Sequence, residues 1–210
     1  PSSGSGTHLV TGDRFEQANA YEGEQRISAA YASNEFSVTE KLKTVIGIRA
    51  ELFQTYYTGQ NQAATEVYEN AKIIDKLDLF PSANIIYSLT EIENLRGSYS
   101  RTTARPSFKE ASKSQIFDAI TNRLFIGNIA LTPSYINNFD VRYERFGEGG
   151  EMVAFSGFYK DFTDPIELTF FESAPDQITP KNLGSAKVYG IEFEFRKSLG
   201  FILEDLNKLK

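Results

Sequence analysis

From Leu42 to Phe53 the chain alternates in hydropathy with a period of two. Leu42, Thr44, Ile46, Ile48, Ala50 and Leu52 share one parity, and Lys43, Val45, Gly47, Arg49 and Glu51 share the other. Successive side chains of a strand point to opposite faces, so this segment makes a strand with one apolar and one polar side. A helix would scatter the same residues around its circumference. The pattern recurs downstream. Leu77, Leu79, Ala83, Ile85, Tyr87 and Leu89 alternate with Asp78, Ser82, Asn84 and Ser88, and Leu95, Gly97 and Tyr99 with Arg96, Ser98 and Ser100. Phe139, Val141 and Tyr143 alternate with Asp140, Arg142 and Glu144. Val153, Phe155, Gly157 and Tyr159 follow, and then Tyr189, Ile191, Phe193 and Phe195 alternate with Gly190, Glu192, Glu194 and Arg196. A less regular strand around Ile27 to Tyr31 precedes them, which makes seven.

The connections alternate in length. Links over Glu35–Lys41, Thr90–Asn94 and Gly147–Glu151 are short, and those over Tyr57–Ile74, Pro106–Ile136 and Phe162–Ser185 are long. In an antiparallel meander, alternate connections lie at opposite ends of the sheet. All short turns therefore sit at one end and all long loops at the other, the layout of an outer-membrane barrel. A soluble β-sandwich does not need to sort its loops in this way.

Strand length and face chemistry agree with this. The Leu42–Phe53 and Leu77–Leu89 runs exceed the usual soluble strand of about 5–6 residues and match the roughly 9–11 that a tilted membrane strand needs. On the last strand one face reads Lys187, Tyr189, Ile191, Phe193, Phe195, Lys197, with charge only at the ends. That profile fits a lipid-facing band with aromatics inside its borders and lysines snorkelling beyond them. The opposite orientation would place Glu192 and Glu194 in hydrocarbon. With 17 Phe and 11 Tyr but no Trp or Cys, the chain has aromatic anchors and no means for disulfides, thiol catalysis or thiolate metal sites. A net charge of −6 without a basic cluster argues against a nucleic-acid partner. No apolar run reaches the length of a transmembrane helix, and the opening Pro1-Ser2-Ser3-Gly4-Ser5-Gly6 does not resemble a signal peptide.

Enzymatic chemistry finds little support. His8, in a Gly/Ser-rich leader, is the one histidine, so no His-based triad or zinc site can be assembled. Gly147-Glu148-Gly149-Gly150 lies between two strands and reads as a hairpin turn, not a phosphate loop. The carboxylates fit solvated or lumen faces better than a glycosidase-like pair. No metal or cofactor is expected. Arg49, Glu51, Arg96, Arg101, Arg142 and Glu144 are the candidate lumen-facing ligand contacts, sharing polar faces with Asp140, Glu192, Glu194 and Arg196. A hydrogen-bonded lumen wall explains the same residues without a ligand. Tyr56, Tyr57, Tyr68, Phe117, Phe125, Phe170 and Phe171, in or beside the long links, suit either ligand contact or packing of the loops.

Several segments resemble a known family. Arg96–Glu110, reading RGSYSRTTARPSFKE, is similar to the SYS-T-ARPSF-EL stretch of TonB-dependent receptors, and Gly127–Pro133, GNIALTP, to their GNP-L-P loop, with Ile129 in place of proline. Asn138–Glu144 resembles the strand that follows. Phe158–Phe162 with Asp164-Pro165-Ile166 resembles the FYK-I-PI element, and Asn182–Glu192 the N-G-A-GIE strand entry. The segments occur in the family's order and cover about Ile27 to Leu206. The resemblance implies a plugged 22-stranded transporter barrel. It also implies outer-membrane lipid, an external small ligand and the TonB energy-coupling complex as partners. No plug, energy-coupling box or terminal aromatic strand is recognised. The expectation is therefore a middle and later stretch of barrel that cannot close alone and leaves two strand edges.

The expected fold is all-β: an antiparallel meander from a transmembrane outer-membrane β-barrel, with short turns at one end and long loops at the other. Residues 1–24 are expected as a leader or loop remnant, 25–206 as the partial barrel, and 207–210 as a truncated end. The expected function is ligand uptake in a Gram-negative outer membrane, with no enzymatic activity. A soluble all-β ligand-binding module and an outer-membrane protein for adhesion or assembly are the alternatives.

Overall fold

The computed structural model describes residues 17–197. His8 and the expected truncated end at 207–210 lie outside the described residues. So does most of the expected leader, although its last residues, from Glu22, already belong to a strand.

Eleven strands follow in order: β1 (Glu22–Ser37), β2 (Leu42–Gln60), β3 (Val67–Ser88), β4 (Glu93–Ala104), β5 (Gln115–Asp118), β6 (Arg123–Ile126), β7 (Ser134–Phe146), β8 (Met152–Thr163), β9 (Ile166–Phe171), β10 (Ala174–Asn182) and β11 (Ser185–Arg196). Seven of them form one sheet in the order β1-β2-β3-β4-β7-β8-β11, every neighbour antiparallel. Each of the seven strands expected from alternation is found in this sheet. The other four make a smaller sheet, β5-β6-β10-β9.

The register places like residues beside like. Tyr99, Phe139, Tyr159 and Tyr189 are successive cross-strand partners, as are Gly97, Val141, Gly157 and Ile191, and then Leu95, Tyr143, Phe155 and Phe193. All of these lie on one face, continued by Leu77, Leu79, Ala83 and Ile85 on β3 and Ile46, Ile48 and Leu52 on β2. The face is not covered: Ile191 is 92% exposed, Phe193 61% and Val141 57%. A β-sandwich would bury such a face against a second sheet, so the soluble-module reading is set aside. Outward-facing Lys187 and Lys197 bracket the band on β11. Ten residues along a strand measure about 34 Å, and a tilt of about 40° leaves a height of about 26 Å, matching the roughly 25 Å of a lipid-facing band.

The long-loop end departs from expectation. The link over Tyr57–Ile74 is mostly strand: β2 runs on to Gln60 and β3 begins at Val67. With 22 residues, or about 75 Å along its path, β3 extends well beyond a membrane span. Asn61 closes this hairpin, its Oδ1 accepting from the backbone N–H of Thr65 (2.9 Å) and Glu66 (3.2 Å). The other two long links contain β5–β6 and β9–β10. Local alternation misses these because β5 and β6 have only four residues each and the sheet depends on a parallel pairing of β6 with β10, Gln177 beside Leu124. Turns at the opposite end are short. The Gly147–Gly150 segment is a hairpin connection, with Gly149 at φ 63° and Gly150 at φ 82°, a region that glycine enters without a Cβ clash.

Candidate functional site

The inner face of the large sheet is polar and carries two charge clusters. In the first, the carboxylate of Glu51 on β2 is almost wholly buried and receives Arg49 at 2.6 Å and the guanidinium of Arg105. Arg105 also stacks over the Phe53 ring, 4.1 Å from its centroid. In the second, Glu144 on β7 is equally buried and receives Arg96 from β4 and, at 3.2 Å, Arg142 from its own strand. Arg142 reaches on to Glu194 on β11 at 2.7 Å and donates to Ser156 Oγ at 3.0 Å. Each buried carboxylate thus faces two arginines in charge-assisted pairs.

Five of the six expected contacts, Arg49, Glu51, Arg96, Arg142 and Glu144, lie on this inner face. Arg101 does not. It pairs with Asn137 and shares the parity of Leu95, Gly97 and Tyr99, so its register belongs to the outer face. Its guanidinium lies 4.8 Å from the centroid of Tyr135. The β3–β4 pairing ends at Ser82–Ser100, and beyond it the Tyr135 hydroxyl donates to Asp78 at 2.8 Å.

Above the first cluster, the segment 105–114 forms a strap on the inner face. The Lys113 N–H donates to the Tyr57 hydroxyl oxygen at 3.2 Å, and Lys113 Nζ pairs with Glu66 at 2.6 Å. Ser107 donates through both N–H and Oγ to Glu110, each at 2.8 Å. Buried Ser112 and Ser114 bond to each other at 2.7 Å. A Cβ on Gly127 would stand 2.6 Å from the Ser112 carbonyl, so only glycine allows this approach. Two asparagines then join the long links. Asn128 Nδ2 donates to Pro180 O at 3.1 Å, and Asn182 Nδ2 to Thr132 O at 2.9 Å and Asp164 O at 2.8 Å. The ARPSF, GNIALTP and Asn182 segments therefore build the cap.

The loop aromatics divide accordingly. Tyr57 is buried between Tyr21 (5.8 Å between centroids) and Tyr68 (5.7 Å), and burial pushes its ionisation above the ordinary tyrosine value. Phe125 lies under Lys109 at 4.4 Å and Phe170 under Arg123 at 4.9 Å. Tyr56, beneath Arg26 at 4.8 Å, and Phe171, beneath Lys181 at 5.7 Å, are also stacked under cations. Phe117 is exposed. Sequence reasoning missed Arg105, Phe53 and Lys113 as anchors. The ARPSF resemblance marks Arg105, but nothing local indicates that it meets Glu51, 54 positions earlier.

The strap responds to pH in a defined direction. Lys113 holds the Glu66 carboxyl below its ordinary value, helped by the Tyr68 hydroxyl, and Glu66 in turn raises Lys113 against its partial burial. The lowered carboxylate contributes above about pH 4.3 and loses its contribution as acid takes it through its depressed pKa. The raised ammonium contributes below about pH 10.4 and loses it only above that. Hydrogen exchange along 105–114 is therefore expected to be slowest near neutrality and to rise, after correction for intrinsic rates, below about pH 4. A Glu66→Gln variant should remove the acid limb.

A sheet that is apolar outside and charged inside, with short turns at one end and a folded cap at the other, defines a transmembrane β-barrel wall. Over residues 8–204 the chain matches the model of the outer membrane protein beta-barrel family, and it belongs to that family. Its location is the outer membrane. No curated protein matches the chain. Among solved structures it is similar to the hemophore receptor HasR of Serratia marcescens, solved with its hemophore HasA and heme (TM-score 0.64, 14% identity, 81% of this chain and 31% of that one). It is also similar to the siderophore receptor PirA of Pseudomonas aeruginosa (TM-score 0.55, 13% identity, 81% and 39%). A third is the alcaligin outer-membrane receptor FauA of Bordetella pertussis (TM-score 0.55, 15% identity, 87% and 29%). The chain spans well under half the length of each of these three.

Proposed function

We propose that this chain forms part of the wall and cap of an outer-membrane receptor that takes up an external ligand by TonB-dependent transport. One observation carries the reading. The face directed away from lipid bears Glu51 and Glu144, each buried and each flanked by two arginines, beneath a folded cap at the long-loop end. Such a wall offers fixed hydrogen-bond donors to a passing ligand while its own charges stay paired. Arg49, Glu51, Arg96, Arg142 and Glu144 are the wall contacts in this reading, and Arg101 is not. The order of the TonB-dependent-receptor segments and the siderophore and hemophore receptors among the structural neighbours support it. Residues 25–206 would then be a barrel portion, working with a plug that contacts the energy-coupling complex. The reading involves no catalytic step and no nucleic acid.

The test is accumulation of ferric siderophores, heme, vitamins, oligosaccharides and peptides by cells with and without the intact receptor. Deletion is expected to abolish accumulation of one class, and collapse of the inner-membrane proton gradient to stop accumulation while leaving surface binding. An Arg49→Ala, Arg142→Ala double variant, still inserted, should slow uptake about tenfold, corresponding to one or two charged hydrogen bonds. Unchanged accumulation of every class on deletion would reject the receptor reading.

A further inference from the structure

The outward face contains a hollow that its role as a barrel wall does not require. In the cross-strand row Gly97, Val141, Gly157, Ile191, the two glycines on either side of Val141 have no side chain. A Cβ at Gly97 would meet nothing within 4 Å, and at Gly157 only a carbonyl at 3.9 Å, so both glycines leave open space. On β8, Tyr159 stands two residues above Gly157 and Phe155 two residues below, with Val141 and Ile191 on the flanking strands. The upper rim is the aromatic row, Tyr99 to Phe139 at 5.0 Å and Phe139 to Tyr159 at 6.2 Å. The lower rim is the Phe155–Phe193 pair at 4.9 Å. Every wall belongs to strands paired within this chain, with Ile191 on the edge strand β11.

The hollow lies within the lipid band, which confines its occupant to a hydrocarbon chain or another protein. Charge favours the lipid. Directly above the aromatic row, on the same face, stand Arg101, Asn137, Asp161 and Lys187 in cross-strand register. Arg101 is drawn toward Tyr135, and Asp161 is the one acid in the row. Lys187 forms no ion pair among the described residues and sits four positions above Ile191 on β11, about 14 Å along the strand. The cation and the hollow are thus separated as a headgroup is from the upper part of its own acyl chain.

We propose that this face holds one membrane lipid in a fixed site: an acyl chain seated over Gly157 between Val141 and Ile191, and a phosphate headgroup at Lys187. Its missing side chains are replaced by methylenes, and the tyrosines of the rim mark the level of the interface. The inference rests only on the outward assignment of the face, not on ligand uptake.

The test is native mass spectrometry of the intact receptor in detergent, titrated separately with phosphatidylglycerol and phosphatidylcholine. The first phosphatidylglycerol is expected to bind about fivefold more tightly than the first phosphatidylcholine, the difference one lysine near an anionic headgroup supplies. Lys187→Gln should remove that preference. Gly157→Leu should weaken the first binding event for both lipids, and Ile191→Ala, at a wall fully open to lipid, should do the same if the leucine variant does not fold. Equal first affinities in the wild type, or first binding unchanged in Gly157→Leu and Ile191→Ala, would overturn the proposal. A dimer disrupted by Gly157→Leu would assign the hollow to a second copy and overturn it as well. Ligand accumulation, measured separately, distinguishes failure here from failure of the receptor reading.

Discussion

Val141→Arg is expected to destabilise the inserted barrel strongly. Val141 faces outward at mid-band on β7, between Gly97 and Gly157, and an arginine there meets hydrocarbon at a cost of about 2–4 kcal/mol. Asn84→Arg is the control. Asn84 lies on the inner face, opposite Val45 and Ser98, where the same side chain stays solvated and should change stability by about 0.5 kcal/mol or less. Urea titrations of the intact protein folding into lipid vesicles measure both. If the two substitutions cost the same, or if the cost falls on Asn84, the faces are inverted. The comparison is sharp because strand period two makes every residue's face depend on its neighbour's.

Phe53→Ala should have the second large effect, at the other end of the wall. The ring is fully buried on the inner face of β2, between Ile27 and Lys76 of the flanking strands and beneath Arg105. Truncating a buried phenylalanine costs about 3–5 kcal/mol, and here the loss also removes the surface on which the strap is stacked. The damage should stay local. Tryptic cleavage at Lys109 and Lys113 should accelerate, while hydrogen exchange of β7, β8 and β11 is unchanged. Phe53→Leu, which refills most of the volume, should cost less than about 1.5 kcal/mol and keep the strap protected. Global loss of exchange protection in Phe53→Ala would mean that cap and wall unfold as one unit.

These two substitutions also separate what was legible in the sequence from what was not. The parity of Val141 could be read directly, since an alternating strand displays both faces in any dozen residues. The Leu42–Leu52 and Tyr189–Phe195 faces were assigned in the same way, and the register joins them into one apolar surface. Parity also separates Arg101, which falls with Tyr99, from Arg96.

The cap was beyond reach of that reasoning. Phe53 looked like the end of a strand, and the residues after Tyr57 like a loop. Their burial depends on a strap that returns some fifty positions later, held by the Arg105–Glu51 pair and the Tyr57–Lys113 bond. The small sheet likewise joins β6 to β10 across about fifty residues, and its β5 and β6 are too short to show a period. The sequence by itself determined the seven strands of the large sheet, their faces and the end at which the long links gather, because each follows from the local period of the backbone. Only the tertiary structure decided what those links build, because pairings between distant segments leave no local trace.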